Sequence, residues 1–213
     1  MGFTSRCDKS ISLGCPGTEG AQAEYIRIPL ADSSLFHVEK DSTIPQDLML
    51  IMTDILPTGY SAAYNARKLL GDDWAAAGAD ASGKKGVCVV MGCGPVSYLD
   101  VFLTITTLIS QVGLCAITSA TTMFSKVFAT DLQPSRLALA ERHGATALPL
   151  AELKEALAEA TGGRGADAVL EVVGVEGAVR TGMELVRPYG VLSSVGVHGG
   201  ERKLDGDMLY GKK

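Results

Sequence analysis

The sequence predicts a doubly wound α/β fold built on a parallel sheet, and three observations carry that expectation. From residue 86 onward, apolar runs of strand length alternate with helical patterns. The first run, Gly86-Val87-Cys88-Val89-Val90-Met91, delivers its end into the glycine turn Gly92-Cys93-Gly94-Pro95. A strand that ends this way before a helix presents backbone N–H groups to the diphosphate of a dinucleotide. The second run, Lys126 to Asp131, ends in an acid of the kind that grips an adenosine ribose.

The glycine pattern itself is interrupted. A full fingerprint places a third glycine three positions after the second, and Ser97 stands there. The missing continuation begins further on, as Val112-Gly113-Leu114-Cys115-Ala116-Ile117. Setting aside the sixteen residues 96–111 joins Gly92-Cys93-Gly94-Pro95 to Val112-Gly113 and completes G-x-G-x-x-G. The same omission repairs an independent spacing. Asp131 lies 37 residues beyond Gly94, and 21 without the sixteen, against the roughly 20 that the motif asks for. Val96-Ser97 can be encoded GTGAGT and Gln111 CAG, the usual borders of an intron, so the segment reads as translated intron. The alternative is a genuine insertion, and comparing transcript with genomic DNA separates the two.

Composition narrows the class. With 213 residues, 46% of them hydrophobic, the chain suits one large domain, or one domain and part of another. A net charge of −5 argues against a nucleic-acid surface, which needs clustered Lys and Arg. Five cysteines, an odd number without disulfide-like spacing, point to a reduced, cytoplasmic compartment. Met1 to Arg6 carries neither an apolar signal core nor a myristoylation pattern. The long apolar run from Tyr98 to Met123 contains Asp100 and Gln111 and reads as the inserted segment joined to a buried helix, so no membrane partner is expected.

Taken in order, residues 1–20 read as loop, with Cys7 and Cys15 read as unbound surface thiols, metal ligation resting on residue type alone. Ala23 to Pro29 alternates as a half-buried strand, and Leu35 to Val38 forms a second short element. Asp54 stands inside the apolar stretch Leu48 to Tyr60, where a desolvated carboxylate needs a partner, so it is either a cap or a ligand. A helix is expected from Tyr60 to Leu70 and a loop from Gly71 to Lys85. Beyond Asp131 come a helix at Pro134–His143, stopped by Gly144, a strand at Thr146–Leu148, and a helix at Leu150–Glu159. A strand at Ala166–Glu171, a helix at Val175–Arg187 and a strand at Gly190–Val195 complete five strands.

Several of these stretches carry a resemblance: Gly20 to Pro29, Thr53-Asp54-Ile55-Leu56-Pro57-Thr58-Gly59-Tyr60, the rejoined glycine turn, Asp131 to Leu137, Thr161 to Asp167, and Ser194-Val195-Gly196-Val197. Together they resemble the zinc-type alcohol dehydrogenases of the medium-chain dehydrogenase/reductase family, most of all the branch of glutathione-independent formaldehyde dehydrogenases. The resemblance implies a remnant of a GroES-like catalytic domain in residues 1–51 and a Rossmann-like NAD-binding domain in residues 52–213. It assigns Gly92, Gly94, Pro95 and Gly113 to the cofactor loop, Asp131 to the ribose, and Arg136 to the adenosine. Gly174 and Val197 then line the nicotinamide, and Thr58 is the catalytic position facing it. Asp54 matches the third protein ligand of the catalytic zinc, and Cys7 the last of four cysteines of a structural zinc lobe.

The departures from the family are as informative. The other catalytic ligands, a Cys and a His, and three structural cysteines lie upstream of Met1 in family members, and the last strand of the sheet lies past Lys213. The chain therefore reads as truncated at both ends, with zinc belonging to complete relatives and not held here. Homo-oligomers are expected only of the complete protein. The implied function is oxidation of a small alcohol or aldehyde with NAD as hydride acceptor, with these residues alone inactive. Two other readings are a non-catalytic nucleotide-binding fragment and an S-adenosylmethionine-dependent methyltransferase, which shares the glycine turn and the acid but leaves Asp54 and Thr58 unexplained.

Overall fold

A computed structural model describes residues 7–14, 17–40, 42–71, 83, 85–94, 112–197 and 206–212. Pro95 and the segment 96–111 lie outside the described residues. Packing divides the chain into two units, Met1–Ile44 and Pro45–Lys213.

Among the described residues the first unit contains one short helix, α1 (Ala31–Ser34), entered through Leu30 in a left-handed conformation with φ 53°. The strand expected over Ala23–Pro29 does not form, and Tyr25 in its middle is 89% exposed. An extended segment becomes a strand only when a neighbour accepts its backbone hydrogen bonds, and no other strand is found among the described residues of this unit. Leu35–Val38 is likewise irregular.

The second unit begins with α2 (Gln46–Ile51) and α3 (Ile55–Leu70). Helix α3 starts five residues before the expected Tyr60 because Pro57 falls in its first turn, where a missing N–H costs nothing. The remaining elements alternate: β1 (Val87–Met91), α4 (Val112–Met123), β2 (Lys126–Thr130), α5 (Pro134–Arg142), β3 (Thr146–Ala147), α6 (Leu150–Thr161), β4 (Ala166–Glu171), α7 (Glu176–Leu185), β5 (Val186–Ser194) and α8 (Gly206–Tyr210). Helix α5 ends where Gly144 adopts φ +91°, and α6 where Gly162 is left-handed.

The strands form one parallel sheet in the order β3-β2-β1-β4-β5. This is the doubly wound, Rossmann-like arrangement predicted from the sequence. Side chains alternate between two cores. Cys88, Val90, Val127, Ala129, Ala168 and Leu170 pack with α3 and α4 on one face. Val89, Met91, Phe128 and Val169 pack with Leu153 and Leu157 of α6 and Leu185 of α7 on the other. Burial on both faces explains why the central strands read as continuous apolar runs. No helix among the described residues is long and apolar enough to cross a membrane.

The strand order reverses between β1 and β4, because β2 leaves β1 on one side and β4 joins it on the other. At such a switch point the loops after adjacent strands diverge and leave a crevice beyond the strand ends. The candidate site lies there.

Candidate functional site

The crevice is assembled from the residues that follow β1, β2 and β4. Strand β1 passes into Gly92, whose φ of +91° turns the chain and whose N–H donates to the Thr130 carbonyl of β2 at 2.9 Å. Gly113 of α4 packs directly on this turn. A Cβ added there would collide with the Gly92 carbonyl oxygen and come within 2.9 Å of the Cys93 Cα. The third glycine of the interrupted fingerprint therefore stands against the first, although 21 positions separate them in the chain. Its function in packing is to let a helix approach a strand end more closely than any side chain permits.

Asp131 follows β2 immediately and ties the two halves of the crevice together. Its Oδ2 accepts the Cys93 N–H at 2.9 Å, and its Oδ1 accepts the Gln133 N–H at 2.9 Å, which starts the turn into α5. One turn on, the Arg136 guanidinium lies 3.6 Å from Asp131 Oδ1, with the Asp131 side chain 6% exposed and that of Arg136 31%. The guanidinium also lies over Gly94, where a Cβ would come within 2.7 Å of the Arg136 Cζ. The structure thus brings together Gly92, Gly94, Gly113, Asp131 and Arg136. Gly92, Gly94, Asp131 and Arg136 border a crevice of about 360 Å³ whose apolar wall comes from Val172, Val173 and Val175 after β4, with Gly113 packed behind the turn.

Cys93, between the two turn glycines, points inward with its Sγ 3.6 Å from the Thr130 carbonyl. Burial pushes its thiol up to about 12, the Asp131 charge adding to the effect and Arg136 opposing it. It stays protonated at neutral pH and is no nucleophile.

The loops after β4 and β5 meet next to this crevice. Gly174 adopts φ +89°, and a Cβ on it would strike the Val197 backbone. Gly196 presses on Gly174 in turn. Gly174 and Val197, singled out by the sequence, therefore share one loop contact, with Val197 71% exposed. The sequence reading passed over Glu171, the last residue of β4, and Asp167 near its start, both fully buried. A charged residue inside an otherwise apolar run of strand length is the signal that marks each, since a buried carboxyl demands partners.

The metal assignments fare differently. Asp54 was expected to be buried among apolar neighbours, but it is exposed, because α2 ends at Ile51 and the turn before α3 swings it outward. It occupies the N-cap position of α3 without a side-chain bond to the backbone. Its Oδ1 accepts instead from the Thr58 hydroxyl at 3.0 Å. Cys7 is exposed, its Sγ 3.7 Å from the Asp8 carboxyl. Among the described residues no three His, Cys, Asp or Glu side chains converge as a metal ion requires. These residues do not fit a zinc ion, and no chemistry is derived through one.

Comparison with known proteins agrees with this geometry. Residues 112–213 match the family model described as zinc-binding dehydrogenase. The zinc-type alcohol dehydrogenase B of Aspergillus flavus is 41% identical over 217 aligned positions, covering 100% of this chain and 45% of that protein. The medium chain reductase/dehydrogenase ucsI of an Acremonium species is 42% identical over 200 positions, covering 92% of this chain and 60% of its own length. The chain belongs to the zinc-type alcohol dehydrogenases of the medium-chain dehydrogenase/reductase family. The solved alcohol dehydrogenase TADH from Thermus sp. ATN1 superposes with a TM-score of 0.68 at 27% identity, over 91% of this chain and 48% of that one. This zinc-type dehydrogenase chain spans about half the length of the relatives it matches, 45% and 60% of the two fungal proteins. Within the family, the glutathione-independent formaldehyde dehydrogenase of Pseudomonas aeruginosa is 28% identical, below both fungal relatives, so identity does not favour that branch.

Proposed function

We propose that this chain is the nucleotide-binding part of an NAD-dependent alcohol or aldehyde oxidoreductase. The observation that carries the reading is the Asp131 carboxyl, joined to the glycine turn through the Cys93 N–H while Gly113 closes on the same turn. That convergence sets an acid at the end of β2 beside a glycine turn at the end of β1, the pairing from which a dinucleotide site is built. Gly92, Gly94, Pro95 and Gly113 would receive the diphosphate, and the Arg136 guanidinium beside Gly94 supplies positive charge there. Asp131 would take the adenosine ribose, Gly174 and Val197 the nicotinamide end, and Thr58 the reacting face. The cofactor, when bound, accepts the hydride; the residues named bind and orient it.

Residues 1–51 are proposed as part of a GroES-like catalytic domain and 52–213 as the nucleotide domain, working in the cytoplasm and, in the whole protein, as a homo-oligomer. Small alcohols or aldehydes are the proposed substrates, on the names of the relatives. Zinc belongs to the proposal only for a protein that brings further ligands to Asp54 and Cys7.

The cofactor choice is tested by titrating the chain with NADH, NADPH and S-adenosylmethionine. A carboxylate about 4 Å from a 2′-phosphate costs on the order of 1–4 kcal/mol, so NADH is expected to bind at least about fivefold more tightly than NADPH. Asp131→Ala should shrink that ratio. Preference for NADPH or for S-adenosylmethionine would refute the reading.

A further inference from the structure

Glu171 ends β4 as a fully buried acid, and it bonds both to the chain that follows β4 and to the end of β5. Its Oε1 accepts the Val173 N–H at 2.7 Å and the Gly174 N–H at 2.6 Å. Its Oε2 accepts the Ser194 hydroxyl, at the end of β5, at 2.6 Å. Its main-chain carbonyl accepts the Val195 N–H at 3.0 Å and the Gly196 N–H at 3.4 Å. One residue therefore holds the chain after β4 and the chain after β5 at a fixed spacing. The packing of Gly174 against Gly196 and Val197 depends on that spacing.

The position of this clasp gives it a role in binding. A dinucleotide lies across the switch point, one mononucleotide over each half of the sheet. With Asp131 and Arg136 on the β2 side of the glycine turn, the second mononucleotide extends over the ends of β4 and β5. Those ends are the two loops that Glu171 binds. We propose that Glu171 is the positioning residue for the second, nicotinamide-bearing half of the dinucleotide: it touches no ligand and acts by setting the distance between the Val173-Gly174 and Gly196-Val197 loops. The bonds that hold Asp131 and Arg136 run to Cys93, Gln133 and each other, so the adenosine half is anchored by residues other than those Glu171 binds.

The inference rests on the nucleotide reading above, and the experiment separates the two. Binding of NADH and of ADP-ribose, which carries the adenosine half and the diphosphate without nicotinamide, is measured for the wild-type chain, Glu171→Ala, Glu171→Gln and Ser194→Ala. Alanine at 171 leaves the Val173 and Gly174 N–H groups without their acceptor. NADH affinity is expected to fall about tenfold or more, with ADP-ribose affinity within about twofold of wild type. Glutamine restores NADH binding, because its amide oxygen accepts the two N–H groups while its NH2 donates to the Ser194 hydroxyl. Ser194→Ala, a milder change that keeps the fold if Glu171→Ala does not, is expected to weaken NADH several-fold and to spare ADP-ribose. Variants that weaken both ligands alike, or neither, overturn the clasp. A wild-type chain that binds neither ligand overturns the nucleotide reading and the clasp with it.

Discussion

Asp167→Ala is expected to cost about 3–5 kcal/mol of folding stability, the range for breaking a buried ion pair by removing one partner. For a chain of this size that lowers the melting temperature by roughly 6–20 °C. Asp167 is fully buried near the start of β4 and accepts from three directions. The Val87 N–H at the start of β1 donates to its Oδ2 at 2.8 Å, and the Arg187 Nε donates to its Oδ1 at 2.7 Å. Arg164 Nη1 adds a 2.6 Å bond, but its side chain is 49% exposed and contributes less. Removal deprives the Arg187 guanidinium, 12% exposed, of its carboxylate and loosens the pairing of β1 with β4. Burial acts to raise the Asp167 carboxyl, yet the bonds from Arg164, Val87 and Arg187 outweigh it and hold it below its ordinary value.

A carboxyl with a lowered folded-state value contributes stability above its unfolded value, about 3.9, and loses it as pH falls through the folded value. The stability gap between wild type and Asp167→Asn should therefore narrow below about pH 4. Thermal melts from pH 7 to pH 3 check both the size and the sign. Equal melting temperatures for wild type and Asp167→Ala at pH 7 would refute the account of this cluster.

Gly113→Ala is expected to reduce both stability and nucleotide binding. The new Cβ meets backbone, the Gly92 carbonyl and the Cys93 Cα, and backbone cannot rotate aside as a flexible side chain can. Overpacking of this kind costs about 1–3 kcal/mol. The relief open to the chain is to part α4 from the turn, which moves the turn from the position that receives the diphosphate. One or two hydrogen bonds to a charged group are then lost, about 1.5–3 kcal/mol each, so NADH affinity falls roughly tenfold to a hundredfold or more. Gly177→Ala in α7 is the matched control for stability. A Cβ there meets nothing, and alanine's helix propensity favours it by about 1 kcal/mol. The melting temperature should fall for Gly113→Ala and not for Gly177→Ala; an equal fall in both would count against the close approach of Gly113.

How far the sequence foretold this structure depends on what each residue answers to. Strand β4 was read with both ends right, and β1 and β2 within a residue, because strands buried on both faces leave uninterrupted apolar runs. The Gly92, Gly113 and Asp131 convergence was legible through two spacings repaired by one omission, although the omitted residues lie outside the described ones. Strand β5 was harder. It begins at Val186, within the segment expected to be helix, and its register against β4 slips between Ala166 and Ala168. Pro188 and Tyr189, the latter with φ 56°, sit in the slip and break the alternation that marks a strand. The start of α3 was missed because Leu48 to Tyr60 was read as one apolar stretch leading into a helix at Tyr60. Gly59 is in fact where α4 crosses, with the Ala116 nitrogen 2.6 Å from any added Cβ. Asp54 was misjudged because apolar neighbours in sequence say little about which way a turn will face. Glu171 and Asp167 were passed over because their bonds to Ser194, Val87 and Arg187 join residues far apart in the chain, which no local pattern shows.

The central claim is that separated parts of the chain close into a single dinucleotide cradle, and the structure of the chain crystallised with NADH tests it most directly. The account predicts the diphosphate against the glycine turn, within hydrogen-bond distance of the Gly94 N–H, and the adenosine ribose diol on the Asp131 carboxyl. A nucleotide bound away from the ends of β1 and β2, or a Gly113 parted from Gly92 in the complex, would contradict it.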